Sequence, residues 1–148
     1  MEQFIILDER YFTQAVQLYK ESFAGEPWYD DWSDENQLME YIREVSGAYN
    51  ALNYGLLIDG KLAAISLGGL SHWWQGTDYR IEEFCVSKEM QGQGMGSKFM
   101  SMIETDVKSR GVAGIFLQTG SDKPAFEFYK KNGFSNLENQ VSLFKLIK

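Results

Sequence analysis

The stretch Glu82-Glu83-Phe84-Cys85-Val86-Ser87-Lys88-Glu89-Met90-Gln91-Gly92-Gln93-Gly94-Met95-Gly96-Ser97 decides the fold. It passes from an apolar run through three glycines into a long amphipathic segment. Glycine tolerates positive φ and removes the Cβ that would hold a ligand away from the main chain, so successive N–H groups can converge on an anion. The helix that follows adds its unpaired amides and the positive end of its dipole, which makes a pyrophosphate the natural guest.

Working outward, Tyr79 to Val86 reads as the strand that feeds this loop. Met95 to Arg110 reads as the helix that leaves it, with Met95, Phe99, Met102, Ile103 and Val107 on one side and Gly111 at the C-terminal position glycine favours. Upstream, Phe4 to Leu7 reads as a strand and Tyr11 to Phe23 as a helix, broken by Gly25 and Pro27. A second helix is expected over about Asp34 to Val45, capped by Ser33. Tyr54 to Ile58 and Lys61 to Leu67 form a hairpin about Asp59-Gly60. A turn at Gly76-Thr77-Asp78 then leads into the central strand. Downstream, Ile115 to Thr119 is a short buried strand, and Pro124 opens a helix that should stop near Gly133. Phe134 and Val141 to Ile147 are expected to supply the last strand or strands. The fold class is α/β with a mixed, mostly antiparallel sheet of six to seven strands and about four helices. Residues 1–148 are read as a single domain.

The composition is that of a soluble globular chain, 44% hydrophobic and 24% charged over 148 residues. A formal charge of -7 disfavours nucleic acid as a partner and favours a cationic substrate. No segment has the make-up of a signal peptide or the length of a membrane span, so no membrane partner is expected and the location is expected to be cytoplasmic. The lone Cys85 sits in the apolar strand as a core residue and fits a reducing compartment. No cluster calls for a metal.

Two other phosphate-binding loops fail on context. The glycine spacing is one residue shorter than that of a dinucleotide-binding fingerprint, and the loop arrives after four strands and two helices instead of one strand. A Walker loop would need Gly-Lys-Ser/Thr, which is absent. The order of elements, the Gln-Gly-x-Gly-x-Gly loop after Phe84-Cys85-Val86, and the later Ala125-Phe126-x-Phe128-Tyr129-Lys130-x-x-Gly133-Phe134 together resemble the GCN5-related N-acetyltransferases.

That resemblance implies an acyl-CoA-dependent N-acetyltransferase using acetyl-CoA. The pyrophosphate would rest on the backbone of Gln91, Gly92, Gln93, Gly94, Met95, Gly96 and Ser97. The pantetheine arm would lie along Phe84, Cys85 and Val86, pairing like an added strand. Asp122 and Phe128 belong to the second motif and would complete the donor site, Asp122 standing where the family often has Asn. Tyr129 occupies the place of the general-acid tyrosine. The family also allows a homodimer.

Chemistry asks for a base as well. An amine with a pKa near that of lysine must shed a proton before attack, at a cost of roughly 4 kcal/mol at pH 7.4. A carboxylate near the bulge of the central strand can take that proton directly or through water. Glu83 and Glu82 are the candidates, with preference for Glu83; on a regular strand they face opposite ways and only one would reach the cleft. For the acceptor, Trp28, Tyr29, Asp30 and Trp32, with Trp73 completing the site, mix aromatic faces and carboxylates in a way that suits a small cationic amine. A protein lysine or N-terminal amine is the alternative acceptor, and an acyl-CoA-binding sensor without turnover is the alternative class.

Overall fold

The computed structural model describes residues 1–148. The chain forms two compact units, residues 1–118 and 119–148. The first holds one sheet of five strands in the order β1-β2-β3-β4-β5: β1 (Glu2–Ile6), β2 (Tyr54–Ile58), β3 (Lys61–Trp73), β4 (Gly76–Val86) and β5 (Gly114–Phe116). The first four strands are joined antiparallel, and β5 is parallel to β4. Helices α1 (Phe12–Ala24), α2 (Glu35–Ser46) and α3 (Met95–Ser109) belong to the same unit.

The β2–β3 hairpin turns where expected, with Asp59 at φ 50° and Gly60 at φ 81°, the paired positive values a tight two-residue turn demands. One layer packs Ala15, Leu18 and Tyr19 of α1 and Leu38 and Ile42 of α2 against Leu57, Leu62, Ile65, Leu67 and Cys85 of the sheet. The amphipathic period of each helix supplies that face. Elsewhere Phe99 of α3 is fully buried and meets the rings of Phe4 and Phe84.

Several boundaries differ from the sequence reading. Strand β3 runs on to Trp73, and Gly76, Thr77 and Asp78 pair within β4 instead of turning; the turn falls on Trp74 and Gln75. Asp34, not Ser33, caps α2, its carboxylate accepting the Gln37 amide at 3.1 Å, while the Ser33 amide is donated to Asp31. β5 is three residues long instead of five.

The second unit contains α4 (Pro124–Lys131), closed by Gly133 at φ 92°. The expected final strands are absent, so the sheet has five strands and not six or seven. From Phe134 onward the chain joins no ladder, and Val141, Leu143, Phe144, Leu146 and Ile147 are exposed.

Candidate active site

The register between β3 and β4 is broken once, and that break builds the site. Leu67 lies opposite Glu83 and Gly68 lies opposite Ile81, which leaves Glu82 as an extra, unopposed residue. Such a bulge resets the alternation of side chains. Gly68 permits it: a Cβ there would lie 2.0 Å from the Arg80 carbonyl oxygen, so no other residue tolerates the approach. The Gly68 amide is in turn held by Asn53 Oδ1 at 3.0 Å.

Both carboxylates therefore come out on the side of the sheet covered by α1 and α2, where a regular strand would have separated them. Glu83 reaches phenols on both helices. The Tyr41 hydroxyl of α2 and, at 3.5 Å, the Tyr19 hydroxyl of α1 donate to its Oε2. Glu82 instead lines a cleft of about 220 Å³ with Glu44 and Val45 of α2, Ala48, Asn50, Gly68, Gly69 and Arg80. Neither Glu82 nor Glu44 carries an ion pair; Arg80 lies over the Phe116 ring, 4.4 Å from its centroid.

Burial dominates the electrostatics of Glu83. Removing its carboxylate from water raises its pKa from an ordinary 4.5 to about 7; the Tyr41 and Tyr19 hydrogen bonds oppose that rise, and the charges of Asp30 and Glu82 add to it. Burial also lifts both phenols, helped for Tyr41 by its bond to Glu83 and for Tyr19 by the Glu83 charge, so each stays protonated. Cys85, two residues along β4, is pushed up to about 12 by burial and is an inert core thiol.

The Gly25 to Asp34 connection between α1 and α2 divides into anchors and exposed residues. Trp32 stacks on Tyr41, with centroids 5.7 Å apart, and meets Tyr19 edge-on; its Nε1–H is buried without a hydrogen-bond partner. Trp28 packs edge-on against Phe23. The Asp30 amide is donated to the Phe23 carbonyl at 2.8 Å, which ties the connection down near Glu83. Tyr29 is exposed, at φ 51°. Trp73 is not part of this group. It pairs with Gly76 at the far tip of the hairpin, six residues along β3 from Leu67, a separation of about 20 Å.

The loop after β4 has the form of an anion cradle. Gly92 at φ 79° and Gly94 at φ 74° take conformations that favour glycine, and the space where their Cβ atoms would stand is open. Gln91 Nε2 donates to the Val86 carbonyl and Gln93 Nε2 to the Glu89 carbonyl, each at 3.0 Å, so the loop is tied to its own backbone. No side chain caps α3 at Gly94, and the first-turn amides of Met95, Gly96 and Ser97 have no carbonyl within the helix. A pyrophosphate fits such a set of donors.

The edge of β4 beside the loop is also prepared. β5 pairs with β4 only over Asp78 to Arg80, so no strand follows Ile81 to Val86 on that edge. Phe84 stacks on Phe99, while Cys85 and Val86 are buried by their side chains, leaving the main chain to serve a guest. In the second unit, Tyr129 is buried, meeting Phe128 and Phe134 edge-on at 5.2 and 5.4 Å between centroids. Asp122 is exposed in the turn before α4.

Sequence reasoning passed over Tyr19, Tyr41 and Glu44. The signal was present: Tyr19 and Tyr41 share helix faces with Leu18 and with Leu38 and Ile42, and a phenol on a buried face needs a polar partner.

The central strand thus brings together a half-buried carboxylate at a bulge, an open edge and a glycine anion cradle. Residues 12–134 match the acetyltransferase (GNAT) family, and the chain belongs to it. Family membership carries the acetyltransferase activity and acetyl-CoA as donor. Among solved structures, the chain is similar to an aminoglycoside acetyltransferase from an uncultured soil metagenomic sample in complex with sisomicin, at 18% identity and TM-score 0.76, covering 99% of this chain and 97% of that one. It is similar to a transcriptional regulator from Bacillus halodurans C-125 at 17% identity and TM-score 0.76, covering 98% and 100%. It is also similar to aminoglycoside acetyltransferase AAC(6')-Iy in complex with the bisubstrate analog CoA-S-monomethyl-acetylneamine, at 12% identity and TM-score 0.74, covering 99% of each chain. At these identities the likeness is one of fold.

Proposed function

We propose that the protein transfers the acetyl group of acetyl-CoA to a primary amine of a small cationic acceptor, with Glu83 as the base. The observation that carries this reading is the bulge at Glu82, which sets two carboxylates on one side of the central strand, one half-buried with its pKa near neutrality and one facing an open cleft. Pairs of acids held in unlike environments divide such labour.

Bound acetyl-CoA supplies the thioester carbon at which the amine's C–N bond forms as the C–S bond breaks. The loop Gln91 to Ser97 holds the pyrophosphate through its amides, and the Ile81 to Val86 edge receives the pantetheine arm as an added strand. Glu83 accepts the proton of the attacking amine. Tyr129, assigned on its motif, gives a proton to the departing sulfur. Glu82 and Glu44, free of ion pairs, hold further ammonium groups of the acceptor in their cleft. Asp30 lies near the base, Trp28 and Trp32 act as aromatic anchors, and Tyr29 offers an exposed ring.

Two structural neighbours, solved with sisomicin and with a CoA–neamine analog, are acetyltransferases of aminoglycosides, which supports a small cationic acceptor. The test is thiol release from acetyl-CoA against neamine, sisomicin, spermidine and a lysine-bearing peptide. Turnover on the polycationic small amines and none on the peptide is expected. Tight CoA binding with no turnover on any amine would replace the enzyme reading with that of a sensor.

A further inference from the structure

We propose that Tyr41 and Tyr19 are positioning residues that clamp the Glu83 carboxylate by one oxygen, Oε2, and so reserve Oε1 as the atom that takes the acceptor amine's proton. The proposal rests on the reading of Glu83 as base and specifies how the fold presents it.

Both phenols converge on the same oxygen, one from each helix. Oε1 has no hydrogen-bond partner in the protein and is not fully enclosed. The clamp is itself rigid. Tyr41 is held flat against Trp32, and Tyr19 is wedged among Phe23, Trp32 and Tyr41 at centroid distances of 4.9, 5.8 and 5.9 Å. A base fixed at one oxygen keeps the other aimed, which preserves the approach geometry proton transfer needs.

The groups facing Glu83 give the clamp a second effect. Asp30 from the α1–α2 connection and Glu82 from β4 both oppose its ionisation. Cys85 on β4 is a neutral thiol, and Glu44 lies on α2 within the electrostatic reach of Tyr41. The two phenols are the only hydrogen-bond donors to the carboxylate, so they keep it available as an anion. Without Tyr41, the balance shifts toward the protonated acid, which cannot act as base.

The test uses Tyr41→Phe, Tyr19→Phe and Glu83→Gln, which retain ring or shape. Carbon-13 NMR titration of glutamate-labelled protein, with the Glu83 signal assigned by its loss in Glu83→Gln, reads the clamp without substrate. Tyr41→Phe should raise the Glu83 midpoint by about one to two pH units, the worth of a hydrogen bond to a charged group, and Tyr19→Phe should raise it less. In thiol release with neamine, the acidic limb should move by the same amount. Activity at pH 7 should then fall about five- to fifty-fold and recover above the new limb. An unmoved midpoint in both tyrosine variants, or a loss equal at every pH, would overturn the clamp while leaving Glu83 as base. A moved midpoint with wild-type activity in Glu83→Gln would retain the clamp but remove the base. If Tyr41→Phe fails to fold, Tyr19→Phe carries the same test through its smaller shift.

Discussion

Replacing Glu83 by Gln should make the protein more stable, and by an amount that depends on pH. Between pH 4.5 and about 7 the folded state retains a proton on Glu83 that the unfolded chain has released. Stability therefore falls as pH rises through that window, the opposite of the usual behaviour of a paired surface acid. Each unit costs about 1.4 kcal/mol, so a pKa raised from 4.5 to about 7 amounts to roughly 3 kcal/mol above pH 7. Glutamine keeps the carbonyl that accepts from Tyr41 and carries no charge to desolvate. The assay is urea unfolding of both proteins at several pH values from 4.5 to 8. Subtracting the difference at pH 4.5 removes whatever the substitution costs at all pH values. The remaining gain of Glu83→Gln should climb to about 3 kcal/mol by pH 7.5 and then level off. A difference that is flat across the range, or that favours wild type as pH rises, would refute the burial of an ionisable Glu83.

Three other substitutions probe separate parts of the site. Gly68→Ala places a Cβ where the Arg80 carbonyl already stands, so it should cost at least about 2 kcal/mol in urea unfolding and abolish the bulge that presents Glu82 and Glu83. Gly94→Ala meets no atom but forces a side chain to φ 74°; it should cost about 1–2 kcal/mol and raise the KM for acetyl-CoA with a smaller effect on kcat. Tyr129→Phe keeps the ring contacts with Phe128 and Phe134 and should lower kcat by about a hundredfold or more in thiol release.

The elements whose signals are local were legible in the chain. Asp59-Gly60 marks a hairpin, the glycine loop marks the start of α3, and Pro124 with Gly133 brackets α4, because each depends on backbone preferences of a few neighbouring residues. The register of the bulge was not legible, because it arises from a close approach between two strands at Gly68. That is why only one of Glu82 and Glu83 was expected to reach the cleft where the structure sets both on one side. Tyr19 and Tyr41 escaped for a related reason: at helical spacing a core phenol looks the same whether its hydroxyl meets a carboxylate or a carbonyl. Trp73 went the other way, its composition matching the aromatic loop while the length of β3 carries it to the far tip of a hairpin. The C-terminal segment was apolar enough to be expected as strands, yet Val141, Leu143, Phe144, Leu146 and Ile147 stay exposed and join no ladder.

The most direct test of Glu83 as base is the rate of thiol release from acetyl-CoA with neamine, measured at pH 7.5 for wild type and for Glu83→Gln under saturating donor. Loss of a positioned general base predicts a fall of about a hundred- to ten-thousandfold in kcat/KM for the amine, in a variant that is folded and binds CoA as wild type does. A Glu83→Gln protein that turns over neamine at the wild-type rate would contradict the account.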